Sequence, residues 1–358
     1  MGLSRRSIKT VLQLVVLGLV VWGIASSVRK SAAQLASQRA ALGEQAAELR
    51  RRAAASDDPR EQQRWRSQAL ARERAARLFW QAHPAGLLAA GGLYALGMLP
   101  ASLFWRQCLK AMDQPIHLPS ILWAYFYGNL GKYFPGKAMV IVLRLAALQP
   151  LGIHKTATSI TIFMETLTMM SVGGAIGAVC MILLNLDWRL TLLAVGLLAA
   201  TFIPTYPPLL RWGLPRLQRG VAPEVVASWA ARIDGQLFVR GWLLLTLTWI
   251  AFGLSLIVVL CSLPVANFGE TSWSTTLLSC FGAIALAVVL GFVSLLPGGA
   301  GVREAVLSLV LTPVVGPIAA LCGAVWLRCV WLATELLMAG FLFMVQRFLP
   351  SPPREPPR

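Results

Sequence analysis

Long apolar runs separated by short polar or basic ones dominate this chain, and the runs define its elements. Thr10 to Ser26, Ala85 to Trp105, Thr156 to Leu184, Leu190 to Leu210, Trp242 to Leu263 and Ile318 to Phe343 approach or exceed the ~20 residues that a helix needs to cross a bilayer. Two further apolar stretches are interrupted. Ser120 to Leu148 is split at Gly131 to Gly136 into pieces of about a dozen residues, neither of which can span alone. Leu277 to Leu295 could cross, but the piece that follows, Val302 to Leu311, is too short to return before Pro313 and Pro317. Two re-entrant pairs solve both problems, the first entered from the cytoplasm and the second from outside. The expected fold is therefore an all-α polytopic membrane protein with about six full spans, two re-entrant helical pairs in an inverted repeat, and an inserted extramembrane helical hairpin.

The hairpin comes from residues 28–84, where the composition turns to Ala, Gln, Arg and Glu, all strong helix formers. Leu35, Leu42 and Leu49 recur every seven residues, with Ala32, Ala46 and Ala53 on neighbouring turns, as in a coiled-coil seam. Ser56-Asp57-Asp58-Pro59 stops the first arm. Asp58 can then cap the second, with Pro59 at its first position and Glu61 at its third. Trp65 and Phe79 give the returning arm its apolar anchors. Arms of roughly 25 residues would rise about 35 Å from the membrane; the alternative is a disordered polar loop. The whole order is then a first span at 1–27, the hairpin at 28–84, a transmembrane domain at 85–348 and a Pro-rich tail at 349–358.

Composition narrows the class. The chain is 57% hydrophobic and only 13% charged, with a mean hydropathy of +0.66, about half the charged fraction of a soluble domain. Its net charge of +17 is spread between the apolar runs, as the positive-inside rule and anionic lipid favour. Nucleic-acid binding would cluster basic residues on a soluble domain, and here the sizeable polar stretch mixes acids with its arginines. Arg5, Arg6 and Lys9 ahead of the first span place the N-terminus in the cytoplasm, as an uncleaved anchor rather than a signal peptide. Arg347, Arg354 and Arg358 place the C-terminus there too.

The two breaks concentrate the chemistry. Ser294 to Val310 reads SLLPGGAGVREAVLSLV, with Pro297, Gly298, Gly299, Gly301, Arg303 and Glu304 inside eight residues. Gly131 to Leu145 reads GKYFPGKAMVIVLRL, with Lys132, Pro135, Gly136, Lys137 and Arg144. Each has Pro-Gly, a small residue three after the Pro, and an Arg on the helix that resumes. Non-helical backbone at membrane depth survives only when buried in protein or lining a wet cavity. A helix that restarts there also offers free N–H groups and a positive dipole end to an anion. Paired interruptions of this kind point to a transport site.

Other charges lie in the spans. Glu165 sits about 13 Å into its helix by rise, and Arg328 and Glu335 share a face of the last span. A charge at the bilayer centre costs about 2.5 to 3.5 kcal/mol even on the gentler scales, so each asks for a reason. One reading is internal ion pairs, such as Glu165 with Arg328. The other is a polar cavity whose arginines hold phosphate and whose glutamates balance charge or carry protons.

Nothing suggests catalysis: there is no Ser/His/Asp set, GxGxxG, Walker loop or DxD-like pair. Six scattered cysteines and three isolated histidines form no metal spacing, and no cofactor is expected.

The pattern GNLGKYFPGK with a following Arg, the Glu of the next span, SLLPGGAGVREAVL and the late Arg328 resembles the transmembrane region of lysylphosphatidylglycerol synthases and of stand-alone proteins that share it. Trp105-Arg106 fits as well. The resemblance runs from about Ala85 to Phe348 plus the first span. It implies a flippase-like domain that moves lipid between leaflets. The chain ends at Arg358 without the soluble aminoacyl-transferase domain, so lipid synthesis is not expected. Thr166 follows Glu165 where the family often has Arg, and the hairpin resembles an insertion.

The expected function is a translocase or carrier of a phospholipid or lipid-linked substrate in a bacterial cytoplasmic membrane, acting on an anionic or aminoacylated phospholipid. The alternative is a non-transporting scaffold whose residues 28–84 recruit an envelope protein. A membrane-embedded transferase is the weaker third reading.

Overall fold

A computed structural model describes residues 29, 33, 36–37 and 39–348, apart from 79–80, 135–137, 186–187, 218–221 and 270. The expected first span, Ala32, Leu35, Phe79, the Pro135-Gly136-Lys137 triplet and the tail at 349–358 lie outside the described residues.

Residues 39–55 (α1) and Pro59–Leu78 (α2) form two helices joined at 56–58. Asp58 Oδ1 accepts the Arg60 N–H at 2.9 Å, and Ser56 Oγ donates to Glu61 Oε2. The stop and start signals in the sequence thus act as caps. Arg50 pairs with Glu73 at 2.7 Å and Arg72 donates to Gln45 at 3.0 Å. Those contacts have nearly constant sums of residue number, so the arms run antiparallel. Leu42, Ala46, Ala53 and Ala69 are buried between them.

The remaining helices are α3 (Pro84–Ala111), α4 (Leu118–Asn129), α5 (Ala138–Leu148), α6 (Lys155–Leu183), α7 (Trp188–Phe202), α8 (Pro207–Leu217), α9 (Pro223–Arg232), α10 (Gly235–Cys261), α11 (Trp273–Val293), α12 (Val302–Val315) and α13 (Pro317–Phe348). Among the described residues six segments are long and apolar enough to cross a membrane: α3, α6, α10, α11, α13 and Pro297–Val315. The protein is an all-α polytopic membrane protein.

Three boundaries differ from expectation. The run at Leu190 to Leu210 is not one straight helix: it bends by 47° between α7 and α8, where Pro207 and Pro208 remove two backbone donors. Helix α10 begins at Gly235, well before Trp242, because the Asp234 carboxylate accepts the Leu237 N–H at 2.7 Å. Helix α12 runs through Pro313 to Val315 instead of stopping at Leu311. A proline removes one intrahelical bond, and packed neighbours can support the kinked helix.

Neighbour relations repeat between the halves. Helices α3 to α6 correspond in order to α10 to α13, with α7 to α9 between them. Under that exchange the α4–α5 contact maps onto α11–α12, α5–α6 onto α12–α13, α4–α13 onto α11–α6, and α3–α6 onto α10–α13. All of these contacts occur. The two first helices, α3 and α10, pack on each other at the centre, where a Cβ on Gly97 would stand 2.7 Å from that of Ala251. Small residues at such crossings let backbones approach where no hydrophobic drive separates protein from lipid.

Candidate functional site

Each half breaks its helix in the same way. In the first half α4 ends in a 3₁₀ turn at Leu130–Tyr133, and in the second α11 is followed by the turn Pro297–Gly299. The two turns touch. Gly298 and Gly299 hold φ of +59° and +68°, a left-handed conformation that glycine adopts without steric cost.

Where the turns meet, charges gather. Lys132 pairs with Glu335, and the Tyr94 hydroxyl donates to the same carboxylate. Lys132 Nζ is also 3.2 Å from the Tyr94 oxygen and 5.3 Å from the Tyr133 ring centre. Tyr94 is itself held by stacking on Trp331, with ring centres 4.3 Å apart. Glu335 is fully buried, and its Oε2 has no partner among the described residues.

Beside this group, Arg328 Nη1 donates to Glu304 Oε1 at 2.6 Å. The other oxygen of Glu304 accepts the Gly301 N–H at 2.7 Å. This corrects one expectation: the start of α12 does not offer that donor to a ligand, because Glu304 caps its own helix. Arg303 completes the cluster. Its stem lies against two glycines, Gly291 and Gly299, whose added Cβ atoms would stand 2.8 and 3.0 Å from its Cγ. Its Nε is buried without a partner, and among the described residues no carboxylate lies within 4.0 Å of its guanidinium. Lys132 and Arg328 are both within electrostatic reach of it.

A second cluster lies apart. Arg144 on α5 and Glu165 on α6 pair at 2.8 Å with side chains only 2% and 4% exposed. The Arg144 guanidinium sits 4.5 Å from the Trp105 ring centre and 4.2 Å from that of Tyr125, a desolvated cation–π sandwich. Tyr125 donates to Glu165 Oε1 at 2.7 Å, Thr166 to Oε2 at 3.4 Å, and Trp105 to Thr161 at 3.1 Å. The pairing of Glu165 with Arg328 is thus replaced by two local pairs, because each carboxylate meets an arginine on the adjacent helix first. Arg144 Nη2 also donates to Asn129 Oδ1 at 3.4 Å, the residue just before the first turn.

Of the predicted site residues, Lys132, Pro297, Gly298, Gly299, Gly301, Arg303, Glu304, Arg328 and Glu335 come together. Arg144 and Glu165 form the separate closed pair, and Pro135, Gly136 and Lys137 lie outside the described residues. Sequence reasoning missed the tyrosines: of the five in the chain, Tyr94 and Tyr133 line the junction and Tyr125 lines the closed pair. A tyrosine inside an otherwise apolar span needs a partner for its hydroxyl, and that was the available signal. It also missed Gly128 and Gly291, each of which gives room to the stem of the arginine on its partner helix.

Residues 65–338 match the family model described as the lysylphosphatidylglycerol synthase TM region. The match takes in residues 65–84, which the sequence reading assigns to an insertion. No curated protein matches the chain.

Proposed function

Because the chain belongs to the lysylphosphatidylglycerol synthase transmembrane-region family, we propose that it is a lipid translocase or carrier that moves a phospholipid or lipid-linked substrate between leaflets. The observation that carries this reading is Arg303, a cation with a buried, unpartnered Nε at the junction of two helix breaks. Among the described residues three cations, Lys132, Arg303 and Arg328, stand there against two carboxylates, Glu304 and Glu335. One positive charge is in excess, which suits a singly charged phosphodiester. Guanidinium groups bind phosphate oxygens in fork geometry, and burial strengthens such bonds.

The breaks supply the means of movement. Glycines at positive φ and short 3₁₀ turns are the places where a helix can hinge. A headgroup bound between the turns would be passed from one side to the other as the halves shift about it. The membrane would be a bacterial cytoplasmic membrane, with anionic or aminoacylated phospholipid as cargo.

The test is leaflet exchange of fluorescent lipids in liposomes holding purified protein, wild type beside Arg303→Gln. Headgroup-selective exchange that falls at least tenfold in the variant is expected. No exchange with any headgroup, from protein shown to be folded, would overturn the reading in favour of a scaffold.

A further inference from the structure

A two-helix hairpin has a groove on each side, and here the two grooves differ in chemistry. One is lined by Glu44, Gln45, Glu48, Arg52, Gln68 and Arg72. Two of its pairs are closed, Arg52 on Glu48 at 3.1 Å and Arg72 on Gln45 at 3.0 Å. The other has a floor of Ala53, Ala54, Ala69 and Leu70 between Arg50, which is held by Glu73 at 2.7 Å, and Arg66. Leu70 is 57% exposed. Arg66 is exposed and makes no ion pair among the described residues.

Two further observations bear on this groove. Residues 39–78 carry ten arginines against six carboxylates, a net charge of +4. Among the described residues the arms bury only Ala46, Ala53 and Ala69 besides Leu42, and Leu42 also joins the hydrophobic cluster of the membrane helices. An apolar floor with basic rims is the surface that a third helix would complete. The alanines would allow close axial approach, within the ~8 to 10 Å range of packed helices.

We propose that this groove docks an amphipathic helix of another protein, its Leu or Ala residues seated on Ala54, Ala69 and Leu70 and a flanking carboxylate on Arg66. A second copy of the hairpin fits less well, since it would bring the same +4 charge and arginine rims against each other. The proposal stands apart from the transport reading: the groove belongs to α1 and α2 and shares no residue with the junction of the breaks.

The test uses the full chain in detergent micelles and a fluorescent helical peptide of three heptads, with Leu at the seam and Glu at the flanking positions. Its anisotropy should report saturable binding to wild type. Arg66→Glu should weaken binding by about tenfold or more, as loss and reversal of an interfacial charge does, and Leu70→Glu should do the same. Arg64→Glu, on the outer face of α2, should leave binding unchanged, and circular dichroism should show each variant folded. A matched peptide with Lys in place of Glu should bind Arg66→Glu better than it binds wild type. Absence of peptide binding, or binding that ignores Arg66 and Leu70, would overturn the proposal. So would Leu70→Cys chains that cross-link to each other through that cysteine, which would assign the groove to a second copy.

Discussion

Arg144 reaches Glu165 from the helix that resumes after the first break, whereas in the second half the polarity is reversed. There the resuming helix carries the carboxylate, Glu304, and the following long helix carries the arginine, Arg328. Both pairs join corresponding helices, but they differ in access. The first is sealed between two aromatic rings; the second keeps its arginine 13% exposed at the junction of the breaks. The repeat therefore separates two tasks, one pair that fixes α5 to α6 and one that lines the site.

The sealed pair should behave as a structural lock. Arg144→Met and Glu165→Leu each leave one buried charge uncompensated, and each should cost about 3 to 5 kcal/mol of stability. The double variant should recover most of the loss, since an apolar pair of similar volume is often no worse than a buried ion pair. Thermal unfolding of the four proteins in detergent checks this. A loss in the double variant equal to the sum of the two single losses would show that the two groups contribute separately.

Gly131 fixes how closely the first broken pair packs. A Cβ there would stand 2.5 Å from the Val140 nitrogen and 2.6 Å from the Met139 carbonyl carbon, backbone atoms that cannot rotate away. Gly131→Ala should therefore push α5 off the turn and destabilise by about 1 to 3 kcal/mol, the usual cost of overpacking. Gly92→Ala, with nothing within 4 Å, should be neutral or gain up to ~1 kcal/mol from helix propensity. Melting temperatures of the two variants against wild type decide it.

Much of this was legible in the sequence because membrane physics makes certain residues conspicuous. Helix-breaking glycines and prolines in apolar runs, and charges at depth, have few innocent explanations. Lys132 and Arg303 were found that way, 171 positions apart yet gathered at one junction. Pairing was less legible. Glu165 could have met either arginine, and only the packing of α5 on α6 chooses Arg144. Helix ends failed where a single side chain decided them, as Asp234 does for α10. The self-capping of Glu304 follows from the Gly301-to-Glu304 spacing, but that carboxylate also reads as a free site ligand until its bond to the Gly301 N–H is seen.

Tyr94 should be a positioning residue. Its hydroxyl donates to the Glu335 carboxylate that also holds Lys132. Tyr94→Phe removes a buried bond to a charged acceptor and should cost about 1.5 to 3 kcal/mol. The charge balance of the site is untouched, so leaflet exchange should keep its headgroup preference while its rate falls. Lys132→Gln differs, because it removes one positive charge from the site and should weaken anionic cargo in particular. Comparing exchange of anionic and zwitterionic lipids for the two variants separates position from charge. Identical profiles would refute the distinction.

Gly298 and Gly301 give the sharpest comparison at the second break. Both hold positive φ, +59° and +83°; alanine at Gly298, near the left-handed helical region, should cost about 1 to 2 kcal/mol in backbone strain, and alanine at Gly301, whose ψ of −49° lies outside that region, should cost more. Their surroundings differ. A Cβ on Gly298 would stand 3.1 Å from both an Arg328 guanidinium nitrogen and the Tyr133 ring, whereas one on Gly301 meets nothing within 4 Å. Gly301→Ala should therefore lower the melting temperature and leave exchange close to wild type. Gly298→Ala should add to its own strain a wedge between the two turns, displacing Arg328 and Tyr133 and lowering exchange severalfold beyond any loss of folded protein. If the breaks act together, the ratio of exchange rate to folded fraction will fall in the first variant and hold in the second. If that ratio is the same in both, the contact between the turns has no part in the movement of lipid.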